Sequence, residues 1–165
     1  MYRLDVQPAA GELAFHETWE AAPAVTLAVT GVRVDQFETA GGAVRTRLAL
    51  AVEAANGSGE PFEFVNDFGL LDGAGEFRRH VWVDPARRPQ ALPGVRLLVP
   101  GEAVRGEVYV PVDPGDGEAM YTPSFGGLAE HGCQGCDRDQ HVFLARAMWQ
   151  PVVVQRAAIA SAPGS

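Results

Sequence analysis

A long alternating stretch runs from Leu97 to Asp113, LLVPGEAVRGEVYVPVD, in which a Pro-Gly turn leads straight into a strand pattern. Val104, Gly106, Val108, Val110 and Val112 fall on one face, and Arg105, Glu107 and Tyr109 on the other, because successive side chains of an extended chain point to opposite sides. A strand that is apolar on one side and wet on the other needs a second apolar surface to lie against. The rest of the chain supplies several. Ala24 to Phe37 sets Val25, Leu27 and Val29 in phase, then Gly31, then Val32 and Val34 in the opposite phase; a glycine at the reversal predicts a β-bulge. Thr39 to Gly42 predicts a hairpin turn, after which Val44, Thr46, Leu48, Leu50 and Val52 alternate with Arg45 and Arg47 as a core strand.

Asn56-Gly-Ser-Gly59 reads as a turn built on residues that tolerate positive φ. Phe62, Phe64 and Val65 lead through Asn66 and Asp67 to Phe68 to Leu71, and Asp72 to Gly75 turns the chain so that Phe77 to Val83 runs back alongside. Pro85 to Gly94 has no period and suits a connection between two sheets. Tyr2 to Val6 and Met120 to Thr122 read as short strands, Ser124 to Gln140 as a long loop, and Val142 to Val154 as a strand interrupted by Pro151 at an edge or a bulge. Gln155 to Ser165 reads as a frayed tail. The expectation is an all-β fold: one antiparallel immunoglobulin-like β-sandwich of about 7 to 9 strands over residues 1–154, with 155–165 as the tail.

Composition agrees with this reading. The chain has 165 residues, enough for one domain with its own core, and its 19 glycines and 12 prolines fit many turns between short elements. The net charge of -8 opposes phosphate backbones and anionic lipid, so nucleic acid is not an expected partner. Arg78-Arg79 and Arg87-Arg88 are the basic pairs, and they read as solvated rim charges. No apolar run approaches the roughly 20 residues of a membrane span. Localisation is open: cytoplasmic if Met1 is the native start, exported to the envelope if a signal has been trimmed.

Phe68-Gly-Leu-Leu-Asp72-Gly-Ala-Gly75 and Leu98-Val-Pro-Gly-Glu-Ala-Val-Arg-Gly-Glu-Val108 resemble the bacterial immunoglobulin-like domains of unknown function numbered family 4352. The resemblance covers about residues 25–122. It implies an exported or lipid-anchored antiparallel sandwich with no assigned enzymatic activity. This chain departs from the family in lacking a lipobox cysteine and in carrying a Cys- and His-containing segment after the last shared strand.

That segment holds the sharpest candidate chemistry. Glu130-His-Gly-Cys-Gln-Gly-Cys-Asp-Arg-Asp-Gln-His141 gathers His131, Cys133, Cys136 and His141 in one Gly-rich loop. Two thiolates separated by two residues turn to one point, and two imidazoles complete a tetrahedral set for zinc, with copper as the alternative aided by the thioethers of Met120 and Met148. The competing readings are a Cys133–Cys136 disulfide, worth about 2 kcal/mol for so short a loop, inert free thiols, and a redox pair. Asp113, Asp116 and Glu118 offer carboxylates to calcium but read as a solvated turn, and Asp67 and Asp72 as turn formers. Ser58 and Ser124 lack a nucleophile elbow, and His16 and His80 lack a recognisable partner. Trp19, Trp82 and Trp149 read as core or interface residues, packing being the usual role of a lone tryptophan on a sandwich strand, and Met120 and Met148 more as core filler than as ligands. The expected function is a non-catalytic binding or interaction domain that displays the Ser124 to Gln140 loop, with the metal at that loop and, along the Val142 to Trp149 strand, pairing between two copies. The alternatives are an envelope or adhesion module whose cysteines are only a staple, and a metal-dependent enzyme.

Overall fold

A computed structural model describes residues 2–8, 18–22, 24–92, 94–113, 117–125 and 147–158. Among these the chain is all β, with no helix. The strands are β1 (Tyr2–Pro8), β2 (Thr18–Ala22), β3 (Val25–Glu38), β4 (Val44–Asn56), β5 (Phe62–Val65), β6 (Phe68–Leu71), β7 (Phe77–Arg79), β8 (Val95–Leu98), β9 (Ala103–Pro111), β10 (Glu118–Phe125), β11 (Ala147–Met148) and β12 (Val152–Ala158). One sheet has the order β1-β12-β10-β6-β7 with β11 also on β10, a second has the order β2-β3-β4-β9, and β5 pairs β8 in a two-stranded ribbon. Every strand pair is antiparallel.

The β3–β4 hairpin shows why the pattern folds this way. Val25, Leu27 and Val29 point into the core, the register shifts between Val29 and Gly31, and Val32 and Val34 then return to the same side. The bulge absorbs the phase reversal, so one face stays apolar along both strands. At the far end Gly42 takes a φ of 83°, the left-handed conformation that a side chain disfavours, and Gly42 N–H donates to the Thr39 carbonyl at 2.9 Å. Across the sheet, Leu48 pairs with Val34 and Val110, and Leu50 with Val32 and Val108. These rows join the apolar residues of β6, β10 and β12 in one buried cluster. Its densest part is aromatic: Phe68 meets Phe125 edge-on at 5.0 Å between centroids and lies 5.9 Å from Trp149, a geometry that suits the ring quadrupoles.

Several expectations are corrected. Residues 155–158 are not tail: β12 continues to Ala158 and pairs with β1 from Tyr2↔Ala158 to Pro8↔Val152, because β1 offers it a full ladder of backbone partners. The remaining tail, residues 159–165, lies outside the described residues. Asn56-Gly-Ser-Gly59 turns without positive φ. The buried Asn56 side chain holds it instead, donating to the Glu60 and Leu98 carbonyls at 2.8 and 2.9 Å and accepting from Ser58 N–H and Oγ at 3.0 and 2.6 Å. Val44, Met120 and Met148 are exposed rather than core.

Candidate functional site

Strict alternation places Arg33, Asp35 and Phe37 of β3 on the face of the sheet opposite the core, beside Arg47 of β4 and Glu107 and Tyr109 of β9. This face is not wet. Asp35, Arg47 and Tyr109 are buried there. The Asp35 carboxylate takes Arg47 Nε at 2.8 Å, Arg88 Nε at 3.2 Å and Arg33 Nη1 at 3.3 Å. Glu107 is gripped in two-pronged fashion by Arg33, at 2.9 Å from Nε and 2.7 Å from Nη2, and accepts the Tyr109 hydroxyl at 3.1 Å. Such planar forks are the strong form of the ion pair.

The charges respond to this packing. Burial pushes the Asp35 carboxyl up, but hydrogen bonds from Arg47 and Arg88 outweigh it and hold the group below the usual carboxylate range. Glu107 is likewise raised by burial and brought below its ordinary value by the hydrogen bonds of Arg33 and Gln90. Tyr109 is pushed up to about 12 by burial and by the neighbouring Glu107 charge, so it stays a neutral donor.

The connection after β7 covers this face. Val81 N–H donates to the Tyr109 carbonyl at 2.9 Å, Glu107 N–H to the Gln90 carbonyl at 2.7 Å, and Leu92 N–H to the Glu107 carbonyl at 2.9 Å, closing the free edge of β9. Gly106 makes the approach possible, since a Cβ there would stand 2.8 Å from the Gln90 carbonyl oxygen. Arg88 reaches back from this cover, its Nη2 donating to the Gln36 carbonyl at 2.8 Å. Between cover and sheet lies a cleft of about 540 Å³, lined by Gln36, Phe37, Glu38, Arg47 and the segment from Trp82 to Asp84 with Arg87 and Arg88. A volume of roughly 300–1,000 Å³ is usual for a small-molecule site.

The expected wet face of β9 and the expected rim position of Arg88 are therefore both corrected, for one reason: the connection folds over the sheet, burying Asp35, Arg47 and Tyr109 and bringing Arg88 onto Asp35. Arg79 is no free rim charge either, pairing with the buried Asp67 at 2.6 Å, which makes Asp67 more than a turn former. Asp72 does form its turn, accepting Ala74 and Glu76 N–H at 2.9 Å each. Ser58 Oγ is engaged with Asn56, Ser124 Oγ donates to the Thr122 carbonyl at 2.8 Å, and His80 Nδ1 lies 2.8 Å from the Phe68 carbonyl oxygen. Trp149 packs in the core as expected, whereas Trp82 is 81 % exposed at the cleft.

His131, Cys133, Cys136, His141, His16 and Asp116 lie outside the described residues. Among the described residues no group of three or more His, Cys, Asp or Glu side chains is placed to hold a metal ion. The described residues also contain no helix long and apolar enough to cross a membrane. Sequence reasoning missed Asp35, Arg47 and Arg88. One signal was available: a hairpin closed at Thr39 to Gly42 sets Asp35 opposite Arg47, a cross-strand pair of opposite charge.

No protein-family model matches the chain, and no curated protein matches it. Among solved structures, it is similar to the yjhA protein from Bacillus subtilis, with a TM-score of 0.56 and 17 % identity over 81 % of this chain and 95 % of that one. It is also similar to a conserved hypothetical protein from Bacillus anthracis, with a TM-score of 0.50 and 16 % identity over 73 % of this chain and 91 % of that one. At such identities the likeness is one of fold.

Proposed function

We propose that this chain is a non-catalytic binding domain, an immunoglobulin-like β-sandwich resembling family 4352, whose recognition site is the cleft beneath the Trp82 to Arg88 segment. The observation that carries this reading is Arg47. It is a buried guanidinium at the floor of a cleft of small-molecule size, held in place from behind by Asp35. Recognition sites commonly use a few fixed polar groups to orient a ligand, and here Phe37, Trp82 and Val83 add apolar surface beside them. Ser58, Ser124 and His80 are each engaged with neighbouring groups rather than with a catalytic partner, which favours binding over hydrolysis.

A metal at His131, Cys133, Cys136 and His141 belongs to the same proposal. Phe125 and Ala147, the residues on either side of the 126–146 segment, pair with each other across β10 and β11. A zinc ion there ties together a segment whose flanking residues already pair, and an edge strand shared between two copies is the route to a homodimer.

The test is a thermal-shift screen of protein purified without chelator, against organic acids, sugars, nucleotides and Zn²⁺. A raised melting temperature with one organic class, lost in Trp82→Ala, supports the cleft as the site; a shift with Zn²⁺ that Cys133→Ser removes supports the metal. No shift with any member of the panel refutes the small-molecule reading and leaves the surface-interaction alternative standing.

A further inference from the structure

Resting on the reading of this cleft as a recognition site, we propose that it takes a planar or aromatic carboxylate, with the carboxylate on Arg47 and the ring against Trp82. Arg47 has donors that the fold leaves unmet. Its side chain is 7 % exposed, its Nε is spent on Asp35, and its guanidinium carbon stands 4.0 Å from the Phe37 ring centroid and 4.6 Å from that of Tyr109. Among the described residues, no hydrogen-bond acceptor meets its two terminal nitrogens. A buried guanidinium with idle N–H groups is unfavourable unless something fills them. Two parallel N–H donors in one plane match the two oxygens of a carboxylate.

Charge then narrows the class. Within the network, three guanidiniums, Arg33, Arg47 and Arg88, face two carboxylates, Asp35 and Glu107, so one positive charge is left over, and of the three only Arg47 is buried. The rim also carries Glu38 and Asp84 beside Arg87. These exposed acidic groups are screened, yet they disfavour a second negative charge. A monoanion fits better than a phosphate dianion. Shape narrows it further: Trp82 and Phe37 stand on the lining with the apolar surface of Val83, and an exposed tryptophan beside a cleft is a surface on which a flat ring stacks.

The test is isothermal titration calorimetry with three probes: phenylacetate, its neutral analogue 2-phenylethanol, and inorganic phosphate. Phenylacetate is expected to bind at least about tenfold more tightly than either of the others, the discrimination of one charge-assisted fork. Arg47→Lys keeps the charge and loses the fork, and Trp82→Ala removes only an exposed ring; each is expected to weaken phenylacetate about tenfold or more. Equal binding of phenylacetate and 2-phenylethanol overturns the carboxylate assignment while preserving the cleft as a site. Tighter binding of phosphate overturns the monoanion assignment. Failure of all three probes in the folded wild-type protein overturns this proposal, and the cleft reading falls with it only if sugars and nucleotides also fail to bind. Should Arg47→Lys fail to fold, the probe comparison and Trp82→Ala still decide.

Discussion

At the scale of single residues, the informative positions are those where the chain comes closest to itself. Gly106 is one. A methyl group there meets the Gln90 carbonyl oxygen at 2.8 Å and Leu92 Cβ at 3.1 Å, and neither is the free end of a flexible side chain. Gly106→Ala is expected to lower stability by about 1–3 kcal/mol, the usual cost of overpacking, and to loosen the cover over Arg47; urea unfolding and hydrogen exchange at Leu92 N–H check both. Asn56 is another. All its side-chain capacity is used within the fold, tying the end of β4 to Leu98 and to the following turn. Removing it in Asn56→Ala leaves buried groups without partners, at about 1–3 kcal/mol, measurable as a lower urea midpoint with an unchanged slope. The sequence marked Asn56 as a turn residue, but not as a buried hub, because the Leu98 carbonyl it serves is 42 positions away.

At the scale of elements, the β3–β4–β9 sheet has two faces with different jobs, and its outer one depends on pH. Asp35 and Glu107 both have lowered affinities for protons in the folded state. The unfolded chain therefore binds more protons as the solution becomes acid, so the stability these groups supply is complete above their unfolded values of about 4. It is lost as the pH falls through their lower folded values. Denaturant midpoints taken from about pH 6 to about pH 2 are expected to fall below about pH 4, and Glu107→Gln to fall less steeply over the same range. A profile unchanged by Glu107→Gln contradicts the ion-pair account. This charge network was only partly legible: the alternation placed the polar residues on one face, but a polar face reads as a wet one until something is known to cover it.

At the scale of the whole molecule, the ends of the described chain close one sheet. β1 and β12 pair over seven residues each, bringing positions 2–8 against positions 152–158. A chain ending at Val154 loses the partners of Tyr2 to Asp5, and is expected to show a lower melting temperature and faster exchange of β1 amides than a chain ending at Ala158. Equal melting temperatures for the two would return residues 155–158 to the status of a tail. The Ala-rich composition after Gln155 misled here, since a small residue on a strand contributes through its backbone as well as any other.

Periodicity alone determined the long strands β3, β4 and β9. Two-residue alternation, the phase reversal at Gly31 and the turns at Thr39 to Gly42 and Asp72 to Gly75 all follow from local sterics and from which face must leave water, and these are written residue by residue. Periodicity also separated the faces of β3, β4 and β9, so Leu48, Leu50, Val108 and Val110 were legible as core. Only the tertiary structure decided that the other face is covered, that Arg88 reaches Asp35 across 53 positions, and that Arg47 is left at the floor of a cleft with donors to spare. The physical reason is that burial belongs to the surroundings of a residue rather than to its type: the same arginine is a solvated charge on an open strand and a buried ion-pair partner once a distant segment closes over it.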